Sequence, residues 1–383
     1  MNQNLIFRFF ITLSRPLPLL IEWLYTDNDF LVISYPIVML ILAITSLPVH
    51  RALYQGGFHR KSLLTRYNAK VNILCLPVAA ILFLIALIVF KYGNILALTL
   101  AMFFIIEKLG DELSRNFTYE KNFSLWCLFQ IARFQWPIIA FMLSPLIGYE
   151  IALFITTLFV STYFIASFNS RLRFRLIAFT TGLVYQEIGS VLPYIGGSLA
   201  SGLIRQGPRL FVVNSFPGFA HFFVICSQLA QIISVGYNVK FEIPYRKIIA
   251  KKPYLYSRVM KKINGNAAFF SLVAAFIALL FLSFIYPTGY KFIALIVFEA
   301  VLYAIFTNIS GLFVWIFSPK DHIYQYLKLL SIYLGCLILM SGILAHTKYI
   351  DVSDIIVLIM TGQCLVIFIY VKLSMSWIQN EKN

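Results

Sequence analysis

Charged residues are scarce in this sequence, and acidic residues are the scarcer kind. Only 12% of the 383 residues are charged, and 15 Asp and Glu stand against 31 Lys and Arg. The chain is 60% hydrophobic, well above the usual share in a soluble domain, and its mean hydropathy is +0.84. So few polar side chains cannot cover the surface of a soluble protein of this size. The composition therefore excludes an ordinary soluble domain and predicts an integral membrane protein.

Residues that carry common catalytic or metal chemistry are few and scattered. The five cysteines lie in apolar runs without a C-x-x-C spacing, and none of the five histidines has a second candidate ligand nearby. No phosphate-binding glycine loop, G-x-S-x-G motif or D-x-D motif occurs. We therefore expect no metal, no cofactor and no enzymatic activity. The net charge of +16 fits basic linkers beside membrane spans better than nucleic-acid binding.

Apolar segments of membrane-spanning length are abundant. A helix of about 20 apolar residues crosses a bilayer, so the sequence predicts an all-α, polytopic membrane protein with about twelve transmembrane helices. The predicted spans are residues 5–24, 30–48, 71–90, 93–106, 123–144, 148–168, 183–204, 211–238, 266–286, 292–315, 324–345 and 353–376.

Basic residues alternate between two sets of linkers. Of the 31 Lys and Arg, 23 lie after even-numbered spans, at the span end next to such a linker (Lys328) or at the C-terminal end (including Lys372), five follow odd-numbered spans, and three lie further inside spans. Basic linkers stay in the cytoplasm, so both termini are expected there. The longest basic linkers follow the second span of each half of the chain. This repetition predicts two six-helix bundles, 1–175 and 176–383, a design common among transporters.

A charged segment, 107–121, interrupts the apolar sequence after span 4. Seven of its fifteen residues are charged, and Glu107, Asp111 and Arg115 fall at i, i+4 and i+8, on one face of a helix. We predict that this segment continues span 4 as a helix on the cytoplasmic side. Two interpretations are open. The segment is either a solvated helix end with surface ion pairs or a gating latch in which Arg115 pairs with Asp111 or a neighbouring linker.

A few charged residues lie inside the predicted spans or at their start. Five of them stand out: Arg8, Arg15, Arg133, Glu187 and Glu299. A charge at the bilayer centre costs roughly 2.5–3.5 kcal/mol on insertion scales, so such residues face a cavity or a partner. Each belongs either to a buried structural pair, such as Arg133 with Glu299, or to a substrate or ion-coupling site.

Span 7 is rich in glycine and ends in a basic turn. Five of the chain's 19 glycines fall in 21 residues here, among them Gly196 and Gly197. We predict a bendable, cavity-lining helix that moves during transport, with close packing through small residues as the alternative. Arg205 and Arg209 follow at its outer end. Together with the arginines of spans 1 and 5, they predict a basic cavity and an anionic substrate, since guanidinium groups bind phosphate by paired hydrogen bonds.

One pattern in the chain resembles a known family. Glu107, Glu112 and Arg115 match E-x-x-x-x-E-x-x-R at the end of helix 4, and Arg133 and Trp136 follow in helix 5. This pattern is similar to that of the polysaccharide-type flippases of the multidrug/oligosaccharidyl-lipid/polysaccharide exporter superfamily. The glycine-rich "LPYIGGSLASGLIRQGPRLFV" is also similar, although Gln-Gly-Pro stands where the family carries an Asp-Arg pair. An arginine-bearing helix 1 is the third likeness.

The resemblance implies a flippase of the bacterial inner membrane, with both termini cytoplasmic. It would move undecaprenyl-diphosphate-linked oligosaccharide repeat units for O-antigen or capsular polysaccharide synthesis, by alternating access around the basic cavity. Glu187 or Glu299 would couple transport to a sodium or proton gradient. Membrane lipids, a polysaccharide polymerase and a chain-length regulator are the expected partners.

The expected site residues fall into two further sets. The substrate-binding set is Arg8, Arg15, Arg133, Arg205 and Arg209, and the gating set is Glu107, Asp111, Arg115, Gly196 and Gly197. Two alternative functions remain. A membrane polysaccharide polymerase usually has a large external loop, which this sequence lacks. A multidrug or cation exporter of the same superfamily would favour acids in its cavity.

Overall fold

The computed structural model of the chain describes four continuous stretches, residues 14–26, 28–45, 77–119 and 123–172. It also describes positions 11, 206–207, 209–210, 213, 220–221, 224–225, 228, 332 and 335. The chain divides into two compact units, Ser14–Gln206 and the combination of Met1–Leu13 with Gly207–Asn383. The predicted boundary between residues 175 and 176 lies outside the described residues.

The described residues of the first unit form six helices and no strand. The helices are α1 (Leu17–Tyr25), α2 (Phe30–Thr45), α3 (Pro77–Ile88), α4 (Asn94–Tyr119), α5 (Phe123–Ile147) and α6 (Tyr149–Leu172). The described part of the chain is therefore all-α. The prediction that the charged segment 107–121 continues span 4 as a helix is confirmed as far as Tyr119.

Two of these helices, α5 and the Tyr149–Phe168 part of α6, are long and apolar enough to cross a membrane. Each exposes large apolar side chains on one face. Met142 and Leu146 on α5 are 74% and 80% exposed, and Phe159 on α6 is 75% exposed. An apolar face of this kind suits contact with lipid.

The predicted first span, 5–24, is interrupted. Residues Ser14–Pro16 form a turn, and α1 begins after it with Pro18 in its first turn. Proline is tolerated there because the first N–H groups of a helix have no partner within it. Arg15 therefore lies in the turn ahead of α1.

Helices α2 and α4 run parallel. The rings of Phe30 and Tyr92 lie 5.8 Å apart where α2 begins and shortly before α4 does. Toward the other ends, Nζ of Lys108 donates a hydrogen bond to the carbonyl oxygen of Thr45 at 3.2 Å. The two helices thus begin at one end of the bundle and lie side by side.

Helix α5 runs antiparallel to α4. Phe103 on α4 meets Trp136 on α5 edge to face, with ring centroids 5.5 Å apart. One turn further along α4, Glu107 meets Arg133, which lies one turn earlier on α5. The residues that approach each other therefore advance in opposite directions along the two helices.

A single residue, Gly148, joins α5 to α6. Its φ of 85° lies in the left-handed region that glycine adopts without a steric penalty. The chain reverses there, and the rings of Phe129 and Phe164 meet 5.2 Å apart further along the helix pair. Helices α2, α4 and α6 consequently run in one direction and α5 in the other.

Candidate functional site

Arg133 lies at the centre of a buried ion-pair cluster between α4 and α5. Its Nη2 and Nε atoms lie 2.6 and 2.7 Å from Oε2 of Glu107, and its Nη1 lies 3.6 Å from Oδ1 of Asp111. Glu107 is 1% exposed and Arg133 is 6% exposed. Removing one partner of a buried pair typically costs about 3–5 kcal/mol of stability. The cluster therefore fastens α4 to α5.

The spacing of the acids on α4 explains how both reach one guanidinium. Glu107 and Asp111 are one helical turn apart and share a face. On a neighbouring face, Nζ of Lys108 lies 3.6 Å from Oε1 of Glu112. Because Lys108 also donates to the carbonyl of Thr45, it satisfies a carbonyl at the C-terminal end of α2 that has no partner within the helix.

Burial contradicts one interpretation of the charged segment. Glu107, Lys108 and Glu112 are 1–2% exposed. The interpretation of the segment as a solvated helix end is therefore wrong for these three residues. Glu107 connects α4 to α5 through Arg133, and Lys108 connects α4 to α2 through Thr45.

Gly110 makes room for the side chain of Arg133. A Cβ atom at this position would lie 2.8 Å from Cδ of Arg133 and 2.9 Å from Cε1 of Phe164. Both distances are too short for a side chain to be added without displacing a neighbour. Sequence reasoning missed this residue, and the available signal was a glycine one position before Asp111 in a helical segment.

A second arginine shares the site. The guanidinium carbon of Arg15 lies 4.1 Å from the ring centroid of Phe134, and that of Arg133 lies 5.0 Å from the same centroid. Cation–π attraction stabilises both contacts. Within the described part of the chain Arg15 forms no ion pair, and its solvent-shielded Nε has no hydrogen-bond partner.

A small cavity lies between these residues. It has a volume of about 20 Å³, and its lining includes Arg15, Tyr35, Glu107, Arg133 and Trp136. This is room for about one water molecule. The indole Nε1 of Trp136 is buried without a hydrogen-bond partner among the described residues, as is Nε of Arg15. The cavity walls therefore include two residues with N–H donors that lack an acceptor.

Sequence reasoning also missed Glu22, which is fully buried on α1. Its Oε1 accepts hydrogen bonds from N of Leu31 at 2.7 Å and from the hydroxyl of Tyr149 at 2.6 Å. Its Oε2 accepts one from N of Val32 at 3.0 Å. Leu31 and Val32 belong to the first turn of α2, whose N–H groups attract a negative charge. The signal was a lone acid in the apolar run "LPLLIEWLY".

Tyr92 lies near the same end of the bundle. Burial first, and then the negative charges of Glu22 and Asp29, raise the pKa of Tyr92 to about 12. The phenol therefore stays neutral at physiological pH. Tyr92 thus adds no further negative charge near the Glu22 carboxylate.

The structure brings together residues for which the sequence analysis predicted different roles. Arg15 and Arg133, predicted to bind substrate, lie in one cluster with Glu107 and Asp111, predicted to gate. Arg209 is buried in the other compact unit. The remaining predicted site residues lie outside the described residues: Arg8, Arg205, Glu187, Glu299, Gly196, Gly197 and the side chain of Arg115.

No protein-family model, curated protein or solved structure matches the chain. Its function is therefore inferred from the site and from the sequence pattern.

Proposed function

We propose that the protein is a flippase that translocates undecaprenyl-diphosphate-linked oligosaccharide repeat units across the bacterial inner membrane. It does so as a twelve-span protein with both termini cytoplasmic. The apolar faces of α5 and α6 support a membrane location, and the alternating directions of α4, α5 and α6 support consecutive spans.

The observation that carries the proposal is the pair of shielded arginines at one site. Arg15 forms no ion pair among the described residues, while Arg133 lies beside it between apolar helices. A shielded guanidinium strongly favours an anionic partner, and the diphosphate of a lipid-linked sugar is such a partner.

The test is the fate of lipid-linked repeat units in cells that lack the gene. Loss of a flippase leaves these units on the cytoplasmic face, whereas loss of a polymerase leaves single units exported and loss of a drug exporter changes neither. Wild-type protein should clear the accumulated units, and Arg15→Ala should not. Lys91→Ala, at an exposed residue between α3 and α4, is the control and should clear them. Export of repeat units without the gene would contradict the proposal.

A further inference from the structure

Glu107 occupies the N–H groups of Arg133 that an oxyanion ligand would use. Nη2 and Nε both lie within 2.7 Å of a single carboxylate oxygen. Arginine binds phosphate through the same neighbouring N–H groups. In this conformation the Glu107 carboxylate therefore stands where a phosphate-class anion would be held.

The cavity beside the pair is too small for such an anion. Its volume of about 20 Å³ accommodates about one water molecule. A phosphate carries four oxygens around one phosphorus and needs several times that room. An anion can reach Arg133 only after the Glu107 carboxylate has left it.

Two N–H groups of residues that line the same cavity have no hydrogen-bond acceptor among the described residues. Nε of Arg15 and Nε1 of Trp136 are buried without acceptors, an uncommon and costly state for polar groups. Glu107 and Asp111 balance the charges of the two arginines, so the cluster as it stands offers an incoming anion no net positive charge. An oxyanion that replaced the carboxylate would bring several additional acceptors.

We propose that Glu107 closes an anion site formed by Arg15, Arg133 and Trp136, and that a phosphate-class oxyanion binds there by displacing the Glu107 carboxylate from Arg133. The inference deepens the proposed function and rests on it only for the identification of the anion as a lipid diphosphate. Glu107 opposes binding twice, because it occupies the donors and cancels the charge.

The first test measures the binding of inorganic pyrophosphate to the full-length protein in detergent by calorimetry. A site that is open in 0.1–10% of molecules raises the apparent Kd by the inverse of that fraction, so Glu107→Gln should bind at least about tenfold more tightly than wild type. Asp111→Asn is the matched control. It removes the same charge from the same cluster, but from 3.6 Å away and not from Nε and Nη2. Equal gains in pyrophosphate affinity for the two variants would overturn the proposal that the anion displaces Glu107, since the loss of one negative charge would then account for both gains.

A double variant tests whether the gain in pyrophosphate affinity of Glu107→Gln depends on Arg133. Lysine keeps the positive charge but lacks the paired N–H geometry. Glu107→Gln with Arg133→Lys should therefore lose the gain that Glu107→Gln shows alone. A gain that persists would place the pyrophosphate elsewhere and overturn the proposal.

A measurement on wild-type protein tests the displacement of Glu107 without depending on variants that could misfold. Carbodiimide labels accessible carboxylates, and mass spectrometry locates the label. Saturating pyrophosphate should increase labelling of Glu107 and leave Glu22, an equally buried acid, unchanged. Unchanged labelling of Glu107, or no pyrophosphate binding to either wild type or Glu107→Gln, would overturn the inference. A protein that binds pyrophosphate in this way yet leaves lipid-linked sugars unmoved would keep the inference and lose the proposed function.

Discussion

Gly110 allows the charged side chain of Arg133 to pack closely against α4, because glycine has no side chain. The side chains of Arg133 and Phe164 both occupy the space that a Cβ atom at this position would need. Gly110→Ala should lower the stability of the folded protein by about 1–3 kcal/mol, the usual cost of overfilling a packed site. Thermal unfolding of the full-length protein in detergent measures this loss.

Gly335 provides the control for that substitution. It is helical, and among the described residues a Cβ atom there would meet nothing within 4 Å. Because alanine favours a helix over glycine, Gly335→Ala should leave stability unchanged or slightly raised. Equal losses at Gly110 and Gly335 would show that the contact with Arg133 is not the cause.

The sequence identified the charges at this site but not their partners. Arg133 was found because a charge in an apolar run is costly, and Glu107 and Asp111 were found by their helical spacing. Their meeting depends on the antiparallel packing of α4 and α5, which no local pattern encodes. The pairing of Arg133 with Glu299 stays a prediction, since Glu299 lies outside the described residues.

Among the helices, Glu22 ties together three elements. Its carboxylate on α1 accepts two N–H groups of α2 and the hydroxyl of Tyr149 at the start of α6. Hydrogen bonds to a charged group contribute about 1.5–3 kcal/mol, so Tyr149→Phe should lower the stability by that amount. The same unfolding measurement in detergent detects the change.

Tyr163 on α6 is the matched residue for this test. It is 40% exposed, and its ring stacks on Phe129 with centroids 5.4 Å apart. Phenylalanine preserves that stacking, so Tyr163→Phe should be close to neutral. If Tyr149→Phe is as stable as wild type, the hydroxyl contributes nothing to the connection between α1 and α6.

Helix positions were predictable where a local property determines them. Apolar length predicted spans 123–144 and 148–168, and the structure has Phe123–Ile147 and Tyr149–Leu172. Helical spacing of charges predicted the extension of α4. The prediction of the first span, 5–24, did not include the turn Ser14–Pro16 that interrupts it, because the apolar content of the segment outweighed its prolines. Glu22 was missed because its partners lie up to 127 residues away.

For the whole molecule, the direction of the chain through the membrane is the testable property. The split of 23 to 5 basic residues between the two sets of linkers predicts which ends face the cytoplasm. Reporter fusions at Gly93, Gly148 and Thr288 should report an outside location, and fusions at Gly57 and Lys251 an inside one. An outside signal at Gly57 would contradict the twelve-span arrangement.

The ion pair at Arg133 also affects how the chain is made. Glu107 leaves the ribosome 26 residues before Arg133, so the acid that neutralises the arginine already exists when α5 is synthesised. An unpaired arginine at the membrane centre would add roughly 2.5–3.5 kcal/mol to the cost of insertion. Glu22 gains its donors from Leu31 and Val32 only nine and ten residues later. Each of these two helix pairs thus carries a partner for its own buried charge.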